Sequence, residues 1–340
     1  MKDNKKIYRH IAFFIVLIGI TFFVLLKDQD LLQIINILSS VKIQYVLIGI
    51  LGISVYVICE AINIGRTLRS LNEKSTFFKN LKYALIGFFF SAVTPAASGG
   101  QPMQIYYMHK DKISVSNSTI TLLMNLSSMQ VITIAFALVS LMFNYKYLNG
   151  VLITFFIIGI LLNLSALILL LIGIFSKRIS KGLINIALKV MKFFRVKNIE
   201  SKKERIEKEL TKYQDNADYI KNNKVLIVRT LLTTLVQFTA YYSITYWTYR
   251  ALGFSEHNIL EIITMQSVLF ATVSGIPSPG AVGVTEGAFM EIFKAVYPAS
   301  VMSSAVLLNR GINFYFLVIV SGAVTVVNHL RGDRKKKVEE

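Results

Sequence analysis

The chain is poor in the residues that build disulfide bonds and metal centres. Cys59 is its single cysteine, and only four of its 340 residues are histidine. One cysteine cannot close a disulfide within the chain, and the histidines lie far apart without an HExxH pattern. A GxxxxGK[ST] nucleotide-binding loop is also missing. We therefore expect no metal ion, no cofactor and no hydrolysis of ATP by the chain itself.

Charged residues are also scarce, and they are gathered into blocks. They make up 16% of the chain against 54% for hydrophobic residues, and apolar runs of roughly 20 residues, enough to cross a membrane, recur. The net charge of +18 could indicate binding to nucleic acid, but the basic residues flank the apolar runs instead of forming a domain. The composition therefore favours a membrane protein whose basic loops face anionic lipid, with no nucleic-acid partner.

Hydropathy predicts an all-α polytopic membrane protein with six full transmembrane helices. The predicted spans are 9–26, 43–64, 118–143, 149–175, 225–250 and 302–328. The first is similar to a secretory signal peptide, because basic residues precede its apolar run. It lacks a small-x-small cleavage site, however, so an uncleaved first span fits better.

Four of the five prolines stand in two clusters that interrupt further apolar stretches, 81–110 and 259–297. The clusters are TPAASGGQP at 94–102 and SGIPSPGAVG at 274–283. Proline and glycine at this density end a helix, and the released backbone groups cannot face lipid unsatisfied. We therefore predict two re-entrant hairpins of broken helices, whose tips are buried in protein or line a wet cavity.

The placement of basic residues predicts the orientation of these hairpins. If both termini are cytoplasmic, the basic residues at or beyond the outer edge are Lys27, Lys42, Lys146, Arg250 and Lys294; all others except Arg310 lie inside. The first hairpin then enters from the cytoplasm and the second from outside, as in transporters with inverted repeats. The predicted units are an N-terminal membrane half (1–175), a basic cytoplasmic linker (176–224), a C-terminal membrane half (225–328) and a basic cytoplasmic tail (329–340).

The linker predicts two helices of different character. Residues 177–195 interleave lysines with apolar residues, which is typical of an amphipathic helix in the cytoplasmic interface. Residues 201–213 are more polar, which favours a solvated helix. An ordinary charged connector is the alternative for both.

Two motifs resemble those of a known membrane family. Residues 87–104 read GFFFSAVTPAASGGQPMQ, and residues 276–287 read IPSPGAVGVTEG. Together they resemble the lysylphosphatidylglycerol synthase transmembrane-region family, also called flippase-like membrane proteins, essentially from end to end. The residues that carry the resemblance are Pro95, Gly99, Gly100, Pro279, Gly280, Gly283 and Glu286.

The resemblance implies a membrane region that flips a lipid. In multidomain relatives this region precedes a soluble domain that transfers lysine to phosphatidylglycerol, which requires a further 100 to 200 residues or so (roughly one domain). We expect transport without synthesis, and no enzymatic activity, in the cytoplasmic (inner) membrane of a bacterium. The alternative is a membrane component of lysylphosphatidylglycerol synthesis, either a lysyltransferase or a scaffold for a separate synthase. A second copy of the chain or such a synthase would be its protein partner.

A phospholipid headgroup can cross hydrocarbon only along a polar groove. We expect an anionic phospholipid, held by the helix N-termini that follow the breaks and by polar side chains. The predicted substrate-binding residues are Thr94, Ser98, Gly99, Gly100, Gln101, Gln104, Ser278, Gly280, Gly283, Glu286, Asn309 and Arg310. Taken singly, each of the Ser, Thr and Gln residues also fits a hydrogen bond between packed membrane helices.

Three ionisable residues stand out inside the apolar runs: Glu60, Glu286 and Arg310. An isolated charge at mid-membrane costs at least ~2.5–3.5 kcal/mol, so such groups pair or face water. We expect Arg310 to meet either the headgroup or Glu286, the latter as a static clamp. Glu60 is expected to pair with Arg66 or to reach the interface. No His, Asp and Ser constellation predicts a catalytic residue.

Overall fold

The computed structural model describes residues 31–94, 97–144, 150–179, 181–182, 199–276 and 279–339. Within these ranges the secondary structure is helical and contains no strand, which confirms the predicted all-α class. The predicted first span at 9–26 lies outside the described residues. Most of the predicted interfacial helix at 177–195 lies outside them too.

The principal α-helices of the described residues are numbered here in chain order. They are α1 (Leu31–Ser39), α2 (Ile43–Ser70), α3 (Phe77–Val93), α4 (Gly100–Lys110), α5 (Val115–Asn144), α6 (Gly150–Phe175), α7 (Ile199–Asn222), α8 (Lys224–Ala251), α9 (Ile259–Val273), α10 (Val284–Ile292), α11 (Ala299–Arg310) and α12 (Phe316–Glu339). Short 3-10 turns occupy Pro279–Ala281 and Phe293–Ala295, and a π-helical turn, Gly311–Tyr315, joins α11 to α12.

Five helical segments of the described chain are long and apolar enough to cross a membrane. They are Ile43–Ser70, Val115–Phe143, Leu152–Phe175, Lys224–Ala251 and Ala299–His329. Each coincides with one predicted span, so five of the six spans are confirmed as helices of sufficient length. The helices of the two interrupted stretches are shorter, as the proline and glycine clusters predict.

Buried hydrogen bonds join α2, α5 and α8. The Asn63 amide donates to Thr234 Oγ1 at 3.0 Å, and Thr234 Oγ1 lies 2.9 Å from Ser128 Oγ. Small residues let α2 and α8 approach closely: a Cβ at Gly52 would lie 3.1 Å from the carbonyl oxygen of Ala240. Lipid provides no hydrophobic force between helices, so such bonds and close contacts stabilise a membrane bundle.

The first interrupted stretch folds back on itself, so that α3 and α4 lie antiparallel. The Gln104 amide donates to the carbonyl of Tyr83, whereas nearer the break Gly100 faces Ser91. At the break Ala97 has a φ of 53°. That left-handed conformation is uncommon for a residue with a Cβ and is incompatible with a continuous helix.

The second interrupted stretch repeats this local arrangement between α9 and α10. The φ angles of Gly280, Ala281 and Gly283 are 59°, 50° and 85°. In both breaks an alanine of positive φ stands two residues after a proline and two residues before the glycine that precedes a helix. The two clusters therefore share a backbone motif. The entry of the two hairpins from opposite sides of the membrane stays a prediction.

The predicted helix at 201–213 is confirmed as part of α7, whose C-terminal half docks on the bundle by one face. Tyr213, Ala217 and Ile220 are buried in one cluster with α5 and α6. The Tyr213 hydroxyl donates to the carbonyl of Gly173 at 2.9 Å, and the Ser116 hydroxyl donates to Glu209 at 2.6 Å. Within the predicted range 201–213 the described side chains are exposed or half-buried except Tyr213, and the docked face continues beyond that range because Tyr213, Ala217 and Ile220 recur at helical spacing.

Candidate functional site

The first break is closed by hydrogen bonds within the chain. The Thr94 hydroxyl donates to the carbonyl of Phe90 at 2.6 Å and accepts from the Gly99 amide at 2.9 Å. A Cβ at Gly100 would lie 2.8 Å from the carbonyl oxygen of Gly87, so only glycine permits this approach. Thr94, Gly99 and Gly100 therefore shape the break, whereas Ser98 is exposed.

A cavity of about 150 Å³ lies beside this first broken pair. Polar and apolar residues of α2, α3, α4 and α5 line it: Tyr56, Glu60, Gly87, Phe88, Ser91, Gln101, Gln104, Leu122, Asn125, Leu126 and Met129. Of the predicted binding residues, Gln101 and Gln104 belong to the lining. Glu60 also lines the cavity but was not predicted as a binding residue. The sequence signal that could have identified it was its carboxylate inside an apolar run.

Glu60 does not pair with Arg66, which was one sequence expectation. Its Oε1 accepts a long hydrogen bond of 3.4 Å from Gln104 Nε2. Arg66 instead donates to Asn63 Oδ1 at 2.7 Å and to Thr233 Oγ1 at 2.8 Å. Six residues of a helix turn the side chain by about 240°, so the two groups point to different sides of α2.

The second break is fastened by a buried ion pair. Arg310 Nε donates to Glu286 Oε1 at 2.8 Å, and the two side chains are only 7% and 2% exposed. Arg310 also donates to the carbonyl of Gly280 at 3.1 Å, and its guanidinium lies 4.1 Å from the centre of the Phe314 ring. The expected clamp of Arg310 to Glu286 is therefore formed.

The N-terminus of α10 already holds a negative group of the chain itself. The Gly283 amide donates to Glu286 Oε2 at 2.7 Å, so both carboxylate oxygens of Glu286 are engaged. Asn309 lies deeper in the bundle, where its Oδ1 accepts from the Thr245 hydroxyl at 3.2 Å. Ser278 lies outside the described residues.

The two breaks contact each other through apolar side chains. Val93 at the end of α3 shares a buried cluster with Val282 of the second break and with Phe314. The Phe88 ring, which lines the cavity, lies 6.1 Å from the Phe314 ring. The predicted binding residues therefore form two groups: Gln101 and Gln104 reach the cavity, whereas the second break contributes no residue to its described lining.

The turn that follows α4 anchors the open end of the first broken pair. Asp111 accepts hydrogen bonds from the Lys82 ammonium at 2.5 Å and the Tyr83 hydroxyl at 2.6 Å. Partial burial by itself would raise the pKa of Asp111, but these two bonds, together with the positive charges of Lys82 and Lys79, outweigh it and the pKa lies below its ordinary value. The charged carboxylate is thus the form that holds α3 to the end of α4.

Long apolar helices, two interrupted helix pairs and a cavity with polar side chains in its lining define a multi-pass helical membrane protein. The chain belongs to a known family within that class: the family model described as the lysylphosphatidylglycerol synthase TM region matches residues 10–321. The resemblance carried by the two motifs is thereby confirmed. A search of curated proteins found no match to the chain.

Proposed function

We propose that the protein is a flippase-like transporter that moves a phospholipid or a lipid-linked polar headgroup across the bacterial cytoplasmic membrane. The observation that carries the proposal is the cavity of about 150 Å³ that combines polar and apolar side chains inside a bundle of potential membrane spans. A cavity of that size has room for several water molecules or a small polar group. The headgroup passes through the cavity while the acyl chains stay in lipid.

The lining of the cavity supports this proposal chemically. Gln101, Gln104 and Ser91 present amide and hydroxyl groups from the first broken pair. The Oδ1 atom of Asn125 is buried there and has no hydrogen-bond partner within the described chain. Buried polar atoms are normally satisfied by protein or water, so an orphaned acceptor in a cavity favours a polar occupant.

An anionic phospholipid is the proposed substrate, and both termini are proposed to be cytoplasmic. The basic loops and linker support both proposals, because clustered lysines and arginines next to membrane helices attract anionic headgroups and stay inside. The charged residues near the second break, Glu286 and Arg310, support transport more than enzymatic catalysis. Both oxygens of Glu286 are occupied by Arg310 and by the Gly283 amide, which leaves Glu286 in a fastening role.

Reconstitution into liposomes tests the proposal. We expect the purified chain to make a fluorescent phosphatidylglycerol of the inner leaflet accessible to an impermeant quencher outside. Gln101→Leu should slow this exchange roughly fivefold, the equivalent of one lost hydrogen bond of about 1 kcal/mol. Gln44→Leu is the matched control, because Gln44 is exposed near the start of α2, far along the helix from Glu60.

A component of lysylphosphatidylglycerol synthesis is the second candidate, favoured by the description of the family. The same liposomes, supplied with lysyl-tRNA and analysed by mass spectrometry, distinguish the two. New lysylphosphatidylglycerol without lipid exchange would replace the transporter proposal with an enzyme. If a folded protein gives neither lipid exchange nor lysylphosphatidylglycerol, the transport proposal is overturned. The remaining candidate is then a scaffold for a separate synthase.

A further inference from the structure

Glu60 is the charged side chain of the cavity lining, and it has no cationic partner in the described part of the chain. The other lining residues are neutral amides, hydroxyls, glycine and apolar groups, with Tyr56 as the second titratable one. None of the ion pairs between described residues includes Glu60. The hydrogen bond from Gln104, at 3.4 Å, is long for a bond to a carboxylate.

The described residues of the helices around the cavity bring no charge that compensates this carboxylate. Tyr56 of α2 packs against Tyr241 of α8, with ring centres 5.1 Å apart. The backbone carbonyl of Tyr83 in α3 accepts a hydrogen bond from the Gln104 side-chain amide. These phenols ordinarily titrate near pH 10. From α5 the lining residues are Leu122, Asn125, Leu126 and Met129, which do not titrate. Glu60 is therefore the described lining group whose charge can change at a pH below the range in which phenols titrate.

A carboxylate and a phosphate in one cavity of this size repel each other. A neutral carboxylic acid removes the repulsion and can donate a hydrogen bond to the phosphate or to the orphaned Asn125 oxygen. We propose that Glu60 is a proton-binding site and that it takes up its proton together with the anionic headgroup. A Glu60 oxygen accepts the proton from hydronium and leaves water, and the reverse step releases it. The coupling to the headgroup rests on the proposed transport; proton binding by Glu60 does not.

The position of Gln104 gives this proton a structural consequence. Its side-chain amide bonds to Glu60 and to the carbonyl of Tyr83, and so connects α2 with both helices of the first broken pair. The Gln104 side chain lies against α3 at Gly87, where a Cβ would lie only 2.4 Å from it. Protonation of Glu60 weakens a charge-assisted bond to Gln104. The proton therefore alters the attachment of α4, the helix that carries Gln101 into the cavity.

Infrared difference spectroscopy of the purified full chain in lipid nanodiscs tests proton binding without any transport. Spectra are recorded from about pH 4 to about pH 9, which brackets the ordinary glutamate value of about 4.3. We expect a carboxylic-acid C=O band at neutral pH in the wild type, and its loss in Glu60→Gln. The control is Glu291→Gln, which removes an exposed carboxylate paired with Lys294 and should keep the band. A band that is absent, or unchanged in Glu60→Gln, would overturn the site.

Lipid exchange in liposomes then tests the coupling. We expect the wild-type rate to rise as the pH falls, and the rate of Glu60→Gln, which is neutral at every pH, to change less than twofold over the same range. An equal pH dependence in both proteins would overturn the coupling. If the wild type moves no lipid at all, the proposed function fails, and the infrared experiment still decides the proton site. Stabilisation of the protein by sodium ions that is lost in Glu60→Gln would instead assign a metal-cation site and overturn the proposal.

Discussion

At the residue scale, the ion pair of Arg310 and Glu286 fastens the second break to the last span. Both side chains are almost fully buried, and each also bonds the backbone of the break, through the carbonyl of Gly280 and the amide of Gly283. A buried pair of this kind gains little over a well-packed apolar pair, but an isolated member is costly. The pair therefore specifies where the break sits relative to α11 more than it adds stability.

Removal of one member of this pair should destabilise the protein strongly. We expect Arg310→Gln or Glu286→Gln to lower the free energy of unfolding by about 3–5 kcal/mol, because one charge stays buried without its partner. The double variant should be less unstable than the sum of the two single variants, since it buries no charge. Unfolding in detergent micelles measures all three. Additive losses in the double variant would contradict a direct interaction.

Asp111 should make the free energy of unfolding depend on pH in the acidic range. Its folded pKa is lowered by hydrogen bonds from Lys82 and Tyr83, so its contribution is complete above the unfolded value of about 3.9 and disappears as the pH falls through the folded value. We expect Asp111→Asn to cost about 0.5–1 kcal/mol at pH 7, as for a partly exposed ion pair. Thermal unfolding should show this difference shrinking towards about pH 3. A difference that grows in acid would contradict the assignment.

At the element scale, close approaches between helix backbones decide which glycines are essential. Gly159 of α6 is one such position: a Cβ there would lie 2.2 Å from the carbonyl oxygen of Ala271 and 3.0 Å from the Cα of Thr272. Both neighbours are backbone atoms of α9, which cannot rotate away as a side chain does. Gly159 therefore sets the distance between α6 and the first helix of the second broken pair.

Substitution of this glycine should separate α6 from α9. We expect Gly159→Ala to destabilise the protein by about 1–3 kcal/mol, the usual cost of overpacking. Gly173→Ala is the control on the same helix, because a Cβ at Gly173 meets no atom within 4 Å; it should be neutral or stabilising by up to about 1 kcal/mol. The comparison needs only the two thermal unfolding curves. Equal midpoints would show that α6 and α9 do not approach as described.

At the scale of the whole molecule, the proposed transport depends on two broken pairs that open to opposite sides of the membrane. The turn after α4 lies among basic loops, whereas the turn between α8 and α9 holds Glu256 and no lysine or arginine after Arg250. Basic loops stay in the cytoplasm. The two turns should therefore face different compartments.

Labelling of single cysteines tests this arrangement in intact cells. In a Cys59→Ser background, we expect an impermeant maleimide to label Ser255→Cys at once and Lys110→Cys only after the cells are permeabilised. Both positions are exposed in the structure. A difference in labelling therefore reports the side of the membrane on which each cysteine lies. Labelling of both from the same side would contradict hairpins of opposite orientation and the transport route built on them.

The sequence by itself determined the elements of this protein, because the signals for them are local. Runs of about 20 apolar residues predict membrane helices whatever surrounds them, and five of the six predicted spans appear as long apolar helices. Proline and glycine end helices through their own backbone geometry, so both breaks could be placed. The same residues carried the family resemblance, which the family model confirms over residues 10–321.

Only the tertiary structure decided which polar groups meet. Glu60 and Gln104 are 44 positions apart in the chain, and Glu286 and Arg310 are 24 apart, so no helical periodicity relates the members of either pair. Their contacts depend on the rotation and distance of packed helices, which small residues such as Gly87 and Gly159 set. For that physical reason the sequence could mark Glu60 as unusual, whereas packing alone placed it in a cavity whose described lining holds no cationic residue.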